Sequence, residues 1–93
     1  MGQNARLRPE RLAEKLVQIR IALGLSQTEM LYRLGVEDLI SYKQISKYET
    51  GKGEPMLIIL LRYARVAGVS MDVLVDDALD LPAKIPSKPK HKH

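Results

Sequence analysis

Residues Leu25 to Gly51, LSQTEMLYRLGVEDLISYKQISKYETG, hold two short helical patterns separated by a turn, and this pairing limits the fold more than any other stretch. Ser26 offers a hydroxyl to the free backbone N–H groups of a first helical turn. Glu29, three residues on, can reach back to it, so S-Q-T-E reads as a capping box. Met30, Leu31 and Leu34 follow as one apolar stripe at helical spacing. Gly35 suits the left-handed position that stops a helix. The second helix opens at Ser41, where S-Y-K-Q predicts another capping box with Gln44. Ile45 and Tyr48 face inward from it, and Gly51 ends it. Tyr42, Lys43, Gln44 and Lys47 are left on the outer face. These long polar side chains are suited to base edges and phosphates.

The flanking segments supply three more helices. Pro9 starts the first, with Leu12, Leu16, Ile19 and Leu23 as its apolar stripe and Gly24 as its stop. Lys52-Gly53-Glu54-Pro55 is a loop. Residues 56–67, MLIILLRYARVA, are apolar over a wide arc, which marks either extra core or a docking face. Leu57, Leu60, Leu61 and Ala64 suffice for a core stripe. Met56, Ile59 and Tyr63 lie beside it. Gly68 stops this helix and Ser70 caps the last one, where Asp72 suits the positive helix end and Val73 and Leu74 point inward. Leu39 and Ile40, in the turn between the two central helices, are expected to fold back onto the core or to extend the second helix at its front. The reading is an all-α chain of five helices: a flexible arm over 1–8, a helical domain over 9–81 and a disordered basic tail over 82–93.

Composition excludes several classes. The chain has no Cys, so disulfide and thiol chemistry are out, which fits a reducing interior. It has neither Phe nor Trp, which predicts an aliphatic core of Leu, Ile, Val and Met. No apolar run is long enough to span a bilayer, and MGQNARLR lacks a signal-type hydrophobic region. Gly2 invites a myristoylation check, but Arg6 stands where Ser or Thr is wanted. The net charge of +4 is unevenly spread. Residues 1–52 carry nine Lys/Arg against six Asp/Glu, residues 53–83 two against five, and residues 84–93 four Lys and no acid. The half holding the two-helix stretch is therefore basic and the other acidic, an asymmetry that orients a chain towards a polyanion.

No enzyme is expected. Both His residues, His91 and His93, fall in the tail, where no scaffold holds a catalytic or metal-binding geometry, and they read as polar tail or tag residues. Asp76 and Asp77 lack the remaining pattern of a calcium loop, and Gly51-Lys52-Gly53 is too short for a phosphate loop. No cofactor or metal is implied.

The two-helix stretch resembles the helix-turn-helix of the lambda-repressor and Cro-like family, also called the xenobiotic-response-element family. Leu25-Ser26-Gln27, Gly35-Val36, Ile45-Ser46-Lys47, and Glu49 followed by Gly51 carry the likeness, which continues through Pro55 and through Ala67-Gly68-Val69-Ser70-Met71-Asp72. It spans Pro9 to Asp76. Two departures stand out: four extra residues near Glu37-Asp38-Leu39-Ile40, and Leu31 where the family usually carries Ala. The resemblance implies a five-helix lambda-repressor-like domain that binds double-stranded DNA, with the helix after Ser41 in the major groove. It implies that Tyr42, Lys43 and Lys47 face base edges. Ser41 and Gln44 fix the helix entrance near a phosphate, and Gln27 and Lys52 hold further phosphates. It also implies an ion pair between Arg20 and Glu49, where the residues alone allow a solvated Arg20. The expected role is a cytoplasmic, nucleoid-associated regulator, a repressor acting as a homodimer. Met56, Ile59 and Val75 are its expected contacts. The reading from another class is a protein-interaction module of the antitoxin type, docking a partner through helix 56–67.

Overall fold

The computed structural model describes residues 8–85. Five helices follow in order: α1 Leu12–Leu23, α2 Gln27–Leu34, α3 Tyr42–Glu49, α4 Leu57–Ala67 and α5 Met71–Val75. Among the described residues every regular element is helical. At the start of α2, Glu29 N–H donates to the Ser26 hydroxyl at 3.0 Å, and Ser26 N–H donates to the Glu29 carboxylate at 2.8 Å. Gly24, Gly35 and Gly68 close α1, α2 and α4 in the left-handed conformation. The expected arm lies outside the described residues except for Arg8. So does the part of the tail from Pro86 on, including His91 and His93.

One helix start and two caps differ from the sequence expectation. α1 begins at Leu12 rather than Pro9, because Asp77 takes the preceding backbone: its carboxylate accepts from Glu10 N–H at 2.8 Å and Arg11 N–H at 3.0 Å. The start of α1 is thus capped by an acid 66 residues away. At α3 the Ser41 hydroxyl accepts from Lys43 N–H at 3.2 Å, rather than from Gln44 N–H. At α5 the Ser70 hydroxyl is turned onto the Asp72 carboxylate and caps no backbone N–H.

The core joins all five helices. Leu12, Leu16, Ile19 and Leu23 of α1 meet Met30, Leu31 and Leu34 of α2, Ile45 and Tyr48 of α3, and Leu74 of α5. From α4 the buried set is Ile59, Leu60, Tyr63, Ala64 and Ala67. This corrects the expected stripe by rotation. Ile59 is fully buried, whereas Leu57 is 76% exposed, so Ile59 is a core residue and no docking contact. The core is not purely aliphatic either, since Tyr48 and Tyr63 fill the space that Phe or Trp would take elsewhere. Lys15 is buried as well. Its ammonium donates to the carbonyls of Val73 at 2.8 Å and Asp76 at 3.0 Å, satisfying the end of α5. Packing continues past the expected boundary at Leu81, because Leu81 and Ile85 both lie against the core.

Candidate nucleic-acid interface

The turn between α2 and α3 is built from its first residue. Val36 is buried, and its carbonyl accepts from Leu39 N–H at 2.8 Å and Ile40 N–H at 3.1 Å. Ile40 packs against the core, but Leu39 stays 56% exposed, so only one of the two inserted apolar residues folds back. Neither extends α3, which starts at Tyr42. The turn is held from α4 by Arg62, whose guanidinium donates to Leu34 O at 2.9 Å. No local sequence signal marks Arg62 for this task.

Beneath α3 lies a polar cluster. Arg20 Nε donates to Glu49 Oε2 at 2.7 Å and Arg20 Nη2 to Glu49 Oε1 at 3.0 Å, a two-pronged pair. A third guanidinium nitrogen donates to Leu25 O at 2.9 Å. Gln27 Nε2 donates to Glu49 Oε1 at 3.1 Å. The side chain of Arg20 is 19% exposed and that of Glu49 is 5% exposed. Fork geometry of this kind sets both distance and orientation. It ties the C-terminal end of α3 to α1 and to the first residue of α2. The hydrogen bonds to Glu49 hold the Arg20 guanidinium above its ordinary pKa. Tyr63 is buried near the same cluster and its hydroxyl has no hydrogen-bond partner among the described residues; burial pushes its pKa up.

The remaining candidate residues face out. Ser41, Tyr42, Lys43, Lys47 and Lys52 are exposed, and Gln44 and Gln27 are half-buried. Lys43 and Lys47 are four residues apart and share one face of α3, opposite the buried Ile45 and Tyr48. Lys52 follows on the loop, where its N–H donates to Lys47 O at 2.9 Å. Among the described residues none of these three Lys side chains carries an ion pair. Gln27 and Ser26 stand at the start of α2, where free backbone N–H groups and the helix dipole favour an anion. Burial pushes the Tyr48 hydroxyl's pKa up. Ser41, Tyr42, Lys43, Gln44 and Lys47 thus stand on or at the start of α3, Gln27 at the start of α2 and Lys52 on the loop after α3.

A helix-turn-helix family model matches residues 16–74, from the middle of α1 to the last turn of α5. No curated protein and no solved structure matches the chain.

Proposed function

The chain belongs to the helix-turn-helix family, a family of DNA-binding regulators, and from that premise we propose that it is a sequence-specific binder of double-stranded DNA. In this reading α3 enters the major groove, where Lys43 donates to guanine O6 and N7. Tyr42 packs on a thymine methyl or bonds a phosphate, and Lys47 reaches a second base edge. Ser41, Gln44, Gln27 and Lys52 position the domain on phosphates. Arg20 and Glu49 act indirectly: with Gln27 bound to Glu49 Oε1, the backbone-gripping residue and the end of the reading helix are held in one register. The observation that carries the reading is the α3 face with Lys43 and Lys47 exposed and free of acids, above a helix locked from below by Glu49. Loss of duplex binding by the Lys43→Ala/Lys47→Ala double variant, with an unchanged melting temperature, is the expected result. Equal binding by that variant, or an affinity insensitive to salt, would refute it.

A two-fold dimer completes the proposal, because one recognition helix covers only a few base pairs, and paired half-sites lie about 34 Å apart. With Ile59 buried, the contacts pass to Met56, Leu57 and Ile58 at the exposed start of α4 and to Val75. Sedimentation equilibrium tests this: Leu57→Asp is expected to convert a dimer to a monomer. The same exposed residues favour, as the second reading, an antitoxin-type protein partner. A monomer both free and on DNA would turn the surface over to that reading. A repressor that occludes a promoter from within the cytoplasm is the physiological role proposed. No helix among the described residues is long and apolar enough to cross a membrane.

A further inference from the structure

The two central helices are fastened at opposite ends by different neighbours. At the back, Glu49 at the end of α3 takes Arg20 of α1 and Gln27 at the start of α2. At the front, the end of α2 is held from α4. The last carbonyls of a helix have no partner within it. Gly35 N–H and Val36 N–H take those of Tyr32 and Leu31, at 3.0 and 3.5 Å, and the Arg62 guanidinium takes Leu34 O at 2.9 Å. The approach is close, since a Cβ on Gly35 would stand 2.9 Å from Arg62 Nη1. Ile59 and Tyr63, one on each side of Arg62 along α4, are fully buried, so the core fixes where its stem begins. The front needs this hold. In the turn that follows, Val36 is buried and Ile40 half-buried, while Glu37, Asp38 and Leu39 are exposed. Val36 O takes Leu39 N–H and Ile40 N–H, and Ser41 then opens α3. The path into α3 is therefore set by what holds Leu34 to Val36.

Tyr42 and Lys43, the residues assigned to base edges, stand in the first turn of α3. Lys43 is about 9 Å from Glu49 along the helix axis, and Lys47 only about 3 Å. A helix pinned at Glu49 alone can swing about that pin, and a swing of about 10° carries Lys43 by roughly 1.5 Å but Lys47 by only about 0.5 Å. Contacts of this kind have to be held to within about 0.5 Å. We propose that Arg62 is a positioning residue for base discrimination: by holding Leu34 O it sets the angle at which α3 enters the groove, and so where Tyr42 and Lys43 meet the bases, without itself touching DNA. The proposal rests on the DNA-binding reading above and adds to it a determinant of specificity outside the recognition helix. Sequence-independent binding depends on charge and counterion release, which a small tilt leaves in place. Discrimination depends on the base contacts, which the tilt moves.

The test uses the full chain, a duplex that the unaltered chain selects from a random library, and a scrambled duplex of equal length. Arg62→Met keeps an apolar stem and cannot donate to Leu34 O. Measured at a low temperature where circular dichroism shows both chains folded, it is expected to lower the ratio of selected to scrambled affinity by about 5–150-fold, the range for one good base contact. The affinity for the scrambled duplex and the slope of log affinity against log salt are expected to hold. Base-pair changes along the selected duplex locate the loss. Discrimination is expected to relax at the pairs that Lys43→Ala relaxes, and to persist at those that Lys47→Ala relaxes. Arg62→Gln, whose shorter amide falls short of Leu34 O, is expected to behave alike and carries the test if the Met variant does not fold. An unchanged ratio overturns the proposal and leaves the α3 reading intact, as does relaxation spread evenly over the site. A slope shallower by about 0.9 makes Arg62 a phosphate contact and overturns it too. If the unaltered chain selects no sequence, the proposal falls together with the reading beneath it.

Discussion

Replacing Arg20 with Met removes the guanidinium while keeping much of the aliphatic stem, and it isolates the interaction on which α3 rests. In the native chain Glu49 accepts two bonds from Arg20 and one from Gln27, and Leu25 O accepts a fourth. After Arg20→Met only the Gln27 bond remains on a carboxylate that is 5% exposed, and Leu25 O loses its side-chain partner. Breaking a buried pair from one side costs about 3–5 kcal/mol, against about 0.2–1 kcal/mol for an exposed pair. Arg20 is 19% exposed, which lets some water reach the site and places the loss near the lower end, about 3 kcal/mol. For a domain of this size that corresponds to a fall in Tm of roughly 12–24 °C. Urea unfolding at low temperature, followed by far-UV circular dichroism, measures it directly. The double variant Arg20→Met/Glu49→Leu separates the pair from its surroundings. Removing both charges is expected to recover most of the loss, because no uncompensated carboxylate is then buried. A single-variant loss below about 1 kcal/mol, or additive losses in the double variant, would refute the view that α3 is locked from beneath by this pair.

Gly35→Ala is expected to destabilise by about 1–2 kcal/mol from its left-handed backbone alone. The new Cβ also falls 2.9 Å from Arg62 Nη1, so the loss should exceed that of Gly24→Ala, where nothing lies within 4 Å; paired thermal melts decide this. Tyr63→Phe removes a buried hydroxyl that has no partner, so stability is expected to hold or rise by up to about 1 kcal/mol, and a marked loss in a urea titration would reveal a bond to that oxygen. Asp77 is held below the ordinary aspartate pKa by the N–H groups of Glu10 and then Arg11. Its contribution is therefore present above the unfolded-state pKa, near 4, and is lost as pH falls through the lower folded value. Asp77→Asn is expected to flatten that acid limb, and an acid limb identical to the parent's would refute the link.

What the sequence determined by itself was whatever is local. Ser26 and Glu29 lie three residues apart, so their capping box can be read from the chain and recurs in the structure. The five helices and the apolar stripes of α1 and α2 were equally legible, because each depends on a 3.6-residue period. The exposed positions of Tyr42, Lys43 and Lys47 follow from the inward set of Ile45 and Tyr48 by the same rule. In α4 the period failed, since nearly every position is apolar and several faces are equally plausible. Only packing against the other helices selected Ile59 and Tyr63 over Leu57. Tertiary structure also decided the contacts that join distant residues: Asp77 on the start of α1, Lys15 on the end of α5, Arg62 on Leu34 and Gln27 on Glu49. Such bonds carry no sequence periodicity. A side chain finds a free backbone group only after the core has fixed where both stand, so the polar clasps of this domain are consequences of the fold as well as its supports.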